Sequence, residues 1–166
     1  MRTCPQPVQA SPEQEGLKAG VRINPPDTWP LSVIMVGGSP GLRASLRAMV
    51  RQEPGFYLAA EAETGAAALA LAFRWQPAVA LVDVCLPDRS GFEVVECIRQ
   101  LVPSCAAIVL SNNPDPCVEN VARIIGAKAV WHKGSGVSQL GGTLRGLVQA
   151  VLAIPTLDSN SKSIAS

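Results

Sequence analysis

The sequence predicts an α/β fold: an open parallel sheet with helices on both of its faces. Three observations carry this. Short apolar runs alternate with amphipathic stretches five times over, with short connections between them. One run, Ala78-Val79-Ala80-Leu81-Val82, is unbroken and ends ahead of a proline, as strands buried on both faces do in parallel sheets. The runs also end on residues of complementary chemistry, Gly37-Gly38, Asp83, Ser111 and Lys133, which right-handed crossovers would collect at one sheet edge.

The elements follow in order. Leu31–Val36 is the first strand. Ser39 is placed to cap the next helix and Pro40 suits its first position. On that helix Leu42, Leu46, Met49 and Val50 form an apolar face, while Arg43, Arg47 and Arg51 form a row read as the solvated side. Pro54-Gly55 ends it. Phe56–Glu61 is the second strand, and Thr64 caps a helix through Ala66–Trp75 that is stopped by Pro77, with Leu69 and Phe73 one turn apart. The third strand leads to Asp83. Pro87–Gly91 opens a helix whose inward residues are Phe92, Val95, Ile98 and Val102.

Ala106–Leu110 is the fourth strand. Pro114 is expected to start a short helix with Val118, Val121, Ala122 and Ile125 on one face, and Gly126 fits the position past its end. Lys128–His132 is the fifth strand. The last helix carries Leu140, Leu144, Leu147, Val148 and Val151 on a stripe, and Pro155 ends it. Its internal glycines, Gly141, Gly142 and Gly146, cost ~1 kcal/mol each relative to alanine, so it relies on packing.

At 166 residues the chain suits one domain with a full core, and 48% apolar residues against 16% charged fit a well-buried globule. A net charge of +1 gives no field that argues for nucleic acid or membrane as partner. No apolar stretch is long enough to span a bilayer and the N-terminus lacks a signal-type apolar core, so a cytoplasmic location is expected. Residues 1–30 read as a disordered or loosely packed extension, with Trp29 placed to anchor its end. Residues 31–153 read as the domain and 154–166 as a polar, disordered tail. The five cysteines, Cys4, Cys85, Cys97, Cys105 and Cys117, include no Cys-x-x-Cys pair, and His132 is the single histidine. Zinc is therefore not expected, and most cysteines are read as reduced, buried small residues.

Asp83 is the focus. Burying an ionised carboxylate is costly unless it is paired, so an aspartate closing a buried strand points to a site. The other reading of that stretch alone is that the strand stops at Val82 and Asp83 caps the following loop. The convergence of Ser111 and Lys133 on the same edge favours the first.

From Leu31 to Leu152 the chain resembles the receiver domain of two-component response regulators. The resemblance rests on Val36-Gly37-Gly38-Ser39-Pro40-Gly41-Leu42-Arg43, Glu61–Gly65, Leu81-Val82-Asp83-Val84-Cys85-Leu86-Pro87 with Gly91, Ser111, Gly126-Ala127 and Lys133. It implies the flavodoxin-like (βα)5 three-layer fold with strand order 2-1-3-4-5. It also implies that Asp83 is a phospho-acceptor forming an acyl phosphate, that Ser111 hydrogen-bonds the phosphoryl group, and that Lys133 pairs first with the carboxylate and then with phosphoryl oxygens.

Two departures from the family pattern matter. Gly37 and Gly38 stand where the family has the two acids that hold Mg²⁺, so Mg²⁺ is expected to bind weakly or not at all. If bound, it would use Asp83 and the Cys85 backbone carbonyl; Glu61, Glu63 or Asp88 could reach in only as substitutes. Val130 stands where the family has an aromatic residue, and the neighbouring Trp131 should point to the other sheet face. The glycine loop matches neither Gly-x-Gly-x-x-Gly nor a Walker motif, which leaves anion cradling as its one alternative use.

The function expected is an atypical stand-alone receiver in phosphorelay signal transduction, without a DNA-binding output domain and not an enzyme in the usual sense. The alternative is a phosphorylation-independent pseudo-receiver that acts as a protein-interaction module. The partners implied are a sensor histidine kinase, a phosphotransfer protein or another signalling protein, with homodimer formation left open and no direct nucleic acid or membrane. A phosphatase- or dehalogenase-like hydrolase is disfavoured, because those enzymes place an Asp-x-Asp on their first strand.

Overall fold

A computed structural model describes residues 30–112 and 114–152, with side chains to residue 149. Most of the expected extension, with Cys4 and Trp29, and the tail beyond residue 152, with Pro155, lie outside the described residues, as does the side chain of Val151. Five strands and five helices alternate: β1 Leu31–Val36, α1 Pro40–Gln52, β2 Phe56–Ala62, α2 Gly65–Trp75, β3 Val79–Asp83, α3 Gly91–Leu101, β4 Ala106–Ser111, α4 Pro116–Ile124, β5 Ala129–His132 and α5 Val137–Leu152. All strand pairs are parallel and the sheet order is β2-β1-β3-β4-β5. This is the expected flavodoxin-like arrangement.

The apolar runs divide by parity, since successive strand side chains face opposite ways. Val33, Met35, Leu81, Ile108 and Leu110 form one core with Leu46, Met49 and Val50 of α1 and Leu140, Leu144 and Val148 of α5. Ile34, Val36, Ala80, Val82, Ala107 and Val109 form the other with Ala68 and Ala72 of α2 and Val94, Val95 and Ile98 of α3. The small alanines of α2 let it lie close to the sheet. Trp131 belongs to the first core and Val130 packs against the second, the separation that strand alternation predicts.

The caps form as their residues suggest. The Ser39 side chain accepts from the Leu42 N–H, Thr64 from Ala67 and Ser90 from Phe92. Several expectations are corrected. α4 begins at Pro116 rather than Pro114, because the Asp115 carboxylate accepts from the Cys117 N–H at 2.8 Å and leaves Pro114 outside. β5 begins at Ala129, not Lys128. The face of α4 is shallow: Ala122 is buried, while Val121 is 39% exposed. In α2 the buried stripe is Ala68 and Ala72, and Phe73 is 62% exposed. In α3 Val94 joins Val95 and Ile98 in the core, with Phe92 only half-buried.

The arginine row of α1 is not simply solvated. The Arg47 guanidinium grips Glu61 at 2.8 and 3.0 Å, and Arg43 donates to Glu63 at 2.7 Å. The Arg47 contact holds the Glu61 carboxyl below its ordinary range and raises the guanidinium. Cys105 is a buried thiol whose pKa burial pushes up to about 12, but Cys85 and Cys117 are exposed free thiols rather than buried ones. Among the described residues no helix is long and apolar enough to cross a membrane.

The core assignment is testable. Ile98→Ala, at a fully buried position, should cost about 2–5 kcal/mol. Phe73→Ala should change stability by no more than about 0.5 kcal/mol. Urea unfolding at constant m-value reads both, and equal losses would contradict the assignment.

Candidate functional site

The sheet order reverses between β1 and β3, so the connections leaving these two strands diverge to opposite faces and open a crevice at their C-terminal ends. The loop after β1 is Gly37-Gly38, and β3 ends in Asp83. Over this crevice lies a cavity of about 450 Å³ whose lining includes Gly37, Gly38, Arg43, Glu63, Asp83 and Cys85.

Asp83 belongs to the strand rather than to the loop beyond it, and it is only 3% exposed. Its Oδ1 accepts from the Cys85 N–H at 3.0 Å. Its Oδ2 accepts from Lys133 Nζ at 2.5 Å, with the two side chains 4% and 19% exposed. Lys133 begins the short 3-10 turn after β5. Since β4 separates β3 from β5, the lysine reaches Asp83 across the end of β4, where Ser111 sits buried. Leu110 is the register partner of Asp83 and His132 that of Ser111, which fixes the order of the three residues along the edge. The result is a buried carboxylate with a cation on one oxygen and a hydroxyl residue at the end of the adjoining strand. A carboxylate so held can act as a nucleophile toward an electrophile whose developing negative charge the ammonium would stabilise.

Gly91 explains its place in the motif after Asp83. Its N–H donates to the Val84 carbonyl at 2.8 Å, and a Cβ there would run into the Asp83 carbonyl. The turn that returns the chain from β3 into α3 therefore passes directly against the backbone of the site. His132 stands at the end of β5 with Nε2 3.5 Å from Glu119, on the helix α4 side and away from the cavity lining.

The glycine loop is the unusual part. The Gly37 N–H donates to the Ala62 carbonyl at 2.8 Å and extends the β1–β2 ladder. Gly37 and Gly38 then adopt φ of +76° and +84°, a region that disfavours residues with a Cβ. A Cβ at Gly37 would overlap Leu86 and lie 3.0 Å from the Asp83 Cβ. The side chains of Leu86 and Asp83 thus occupy the place that a side chain at residue 37 would need.

The donor set accordingly differs from the two-acid pattern expected for Mg²⁺. Asp83 is the buried carboxylate, and both of its oxygens are engaged. Each of the three candidate substitutes already has a partner. Glu61 holds Arg47, and Glu63, with a side chain 76% exposed at the cavity rim, holds Arg43. Asp88 accepts from the Gly65 and Ala66 N–H groups at 2.7 and 3.0 Å; these bonds at the start of α2 keep its carboxyl below the ordinary range. Among the described residues no group of three or more His, Cys, Asp or Glu side chains is placed to share an ion. These residues do not fit the family's Mg²⁺ site.

Sequence reasoning missed the Arg43–Glu63 contact at the cavity. Its signal was present: arginines four apart on α1 face glutamates two apart at the end of β2 and just beyond it. The loop geometry yields a prediction. Gly37→Ala should destabilise the protein by about 1–2 kcal/mol through its positive φ alone, whereas Gly41→Ala, which meets nothing within 4 Å, should be neutral or stabilising by up to ~1 kcal/mol. Calorimetric Tm values of the two variants check the order; a Gly37→Ala variant as stable as the parent would contradict the geometry.

Comparison with known proteins agrees with this architecture. The family described as response regulator receiver domain matches residues 33–145. A protein-glutamate methylesterase/protein-glutamine glutaminase of Anaeromyxobacter dehalogenans is 33% identical over 112 residues, 68% of this chain and 33% of that protein. The nitrate/nitrite response regulator protein NarP of Escherichia coli is 30% identical over 86 residues, 52% of this chain and 40% of that protein. The chain thus spans well under two thirds of the length of these relatives. Among solved structures, a two-component response regulator of the LuxR family from Aurantimonas superposes with a TM-score of 0.68 at 22% identity, covering 72% of this chain and 86% of that one. A CheY-like receiver domain protein from Methanospirillum hungatei gives 0.67 at 20% identity, covering 74% and 96%. With its sheet order, the Asp83–Lys133 pair and a family match over most of the described residues, this chain belongs to the response regulator receiver domain family.

Proposed function

We propose that this receiver domain works in a phosphorelay and accepts a phosphoryl group on Asp83. The observation that carries the reading is the buried Asp83 carboxylate held by the Lys133 ammonium at the switch point of the sheet. In this reading Asp83 attacks phosphorus to form an acyl phosphate and Lys133 moves its contact from the carboxylate to a phosphoryl oxygen. Ser111 hydrogen-bonds another phosphoryl oxygen. Mg²⁺ binds weakly or not at all, because Gly37 and Gly38 bring no carboxylates. The partners are a sensor histidine kinase, a phosphotransfer protein or another signalling protein, and the setting is the cytoplasm.

A second reading is favoured by the glycine loop specifically. A domain that has replaced both acids and packed Leu86 against Gly37 could retain the fold as a pseudo-receiver that binds its partner without phosphate. The two readings separate by intact mass after incubation with a small acyl phosphate donor. The phosphorelay reading predicts a gain of one phosphoryl group in the native chain and none in Asp83→Ala. No gain in the native chain, with or without Mg²⁺, would leave the interaction module as the function.

A further inference from the structure

We propose that Arg43 is the phosphoryl-binding cation of this site and stands in for a metal ion there. The inference rests on the phospho-acceptor reading and deepens it. Arg43 leaves the first turn of α1, its side chain is 19% exposed, and it lines the same cavity as Asp83. It is the one Lys or Arg among the residues lining that cavity.

Charge accounting points the same way. An acyl phosphate brings close to two negative charges to the site. Lys133 balances Asp83 in the resting state and, once it moves to a phosphoryl oxygen, offsets one of these charges. Gly37 and Gly38 contribute no charge, and the two acids that line the cavity, Asp83 and Glu63, are already paired with Lys133 and Arg43. The remaining need is for a second cation over the incoming oxygens.

Arg47, one turn along α1, is held more firmly than Arg43, since it makes two hydrogen bonds to Glu61. Arg43 makes a single contact, through one terminal nitrogen, to a glutamate that is 76% exposed. Such a carboxylate is readily resolvated, and exposed pairs of this kind are weak. Glu63 therefore holds the guanidinium beside the cavity and releases it when a stronger anion arrives. A guanidinium also matches two phosphoryl oxygens in one plane, which a lysine ammonium does not.

The step balances without metal. With phosphoramidate as donor, in its zwitterionic form, one Asp83 carboxylate oxygen attacks phosphorus and the O–P bond forms. The P–N bond breaks, and its electrons leave with nitrogen as neutral ammonia. Arg43 leaves Glu63 for the phosphoryl oxygens, and Glu63 turns to water.

The test follows phosphoryl transfer from phosphoramidate by intact mass over time, in EDTA and in Mg²⁺. It compares the native chain with Arg43→Gln, Arg43→Lys and Glu63→Gln. The expected result is a native rate equal within about twofold in EDTA and Mg²⁺, at least a tenfold loss in Arg43→Gln, partial retention in Arg43→Lys and a gain in Glu63→Gln. An Arg43→Gln rate equal to the native one, or a native rate that vanishes in EDTA and returns with Mg²⁺, would overturn the proposal. If the native chain gains no phosphoryl group at all, the acceptor reading fails. Inorganic phosphate is then titrated in EDTA against the Gly37 and Gly38 amide resonances. Saturable shifts weakened at least tenfold in Arg43→Gln would uphold Arg43 as an anion-binding cation, and shifts absent or unchanged in that variant would overturn it.

Discussion

The contact between Asp83 and Lys133 is the constraint on which the rest of this structure depends. A carboxylate 3% exposed at the end of a fully buried strand is tolerated because an ammonium lies on one oxygen and a backbone N–H on the other. Removing either charged partner would leave the other uncompensated, so the pair links β3 to the turn after β5 across the end of β4. The neighbouring backbone is shaped to the same point. Gly91 passes against the Asp83 carbonyl, and the Val84 N–H donates to Leu110 at 3.0 Å, which holds the ends of β3 and β4 together.

The other side of the crevice has been rebuilt rather than merely stripped. Gly37 and Gly38 turn the chain with positive φ, and Leu86 packs where a side chain at residue 37 would lie. Nearby carboxylates have specific partners: Glu61 and Glu63 pair with the α1 arginines, Glu63 at the rim of the cavity, and Asp88 accepts from the start of α2. The site is consequently close to charge balance through protein groups alone, with Lys133 facing Asp83 and Arg43 facing Glu63.

Most of the architecture was legible in the sequence because the dominant signals were local. Apolar runs, Ser39 and Thr64 as caps, and Pro77 as a stop all act within a turn or two of chain. Parity along β5 placed Trp131 and Val130 on opposite faces. The convergence of Asp83, Ser111 and Lys133 on one edge was also legible, since right-handed parallel topology leaves little choice. The start of α4 was missed although its cap is local, with Asp115 accepting from Cys117 two residues on. Most else that escaped was set by contacts distant in sequence. The exposure of Phe73 followed from Ala68 and Ala72 allowing α2 to approach the sheet by its small face. The arginine row looked solvated because its glutamate partners lie on another element, and the packing of Leu86 under Gly37 has no local signal.

The measurement that bears most directly on the central claim is reductive trapping. The native chain is treated with an acyl phosphate donor, reduced with borohydride so that an aspartyl phosphate becomes homoserine, and mapped by tandem mass spectrometry. The account predicts homoserine at position 83 and at no other aspartate. Homoserine at Asp88 or Asp115, or an unchanged Asp83 in a chain that has gained phosphate, would contradict it.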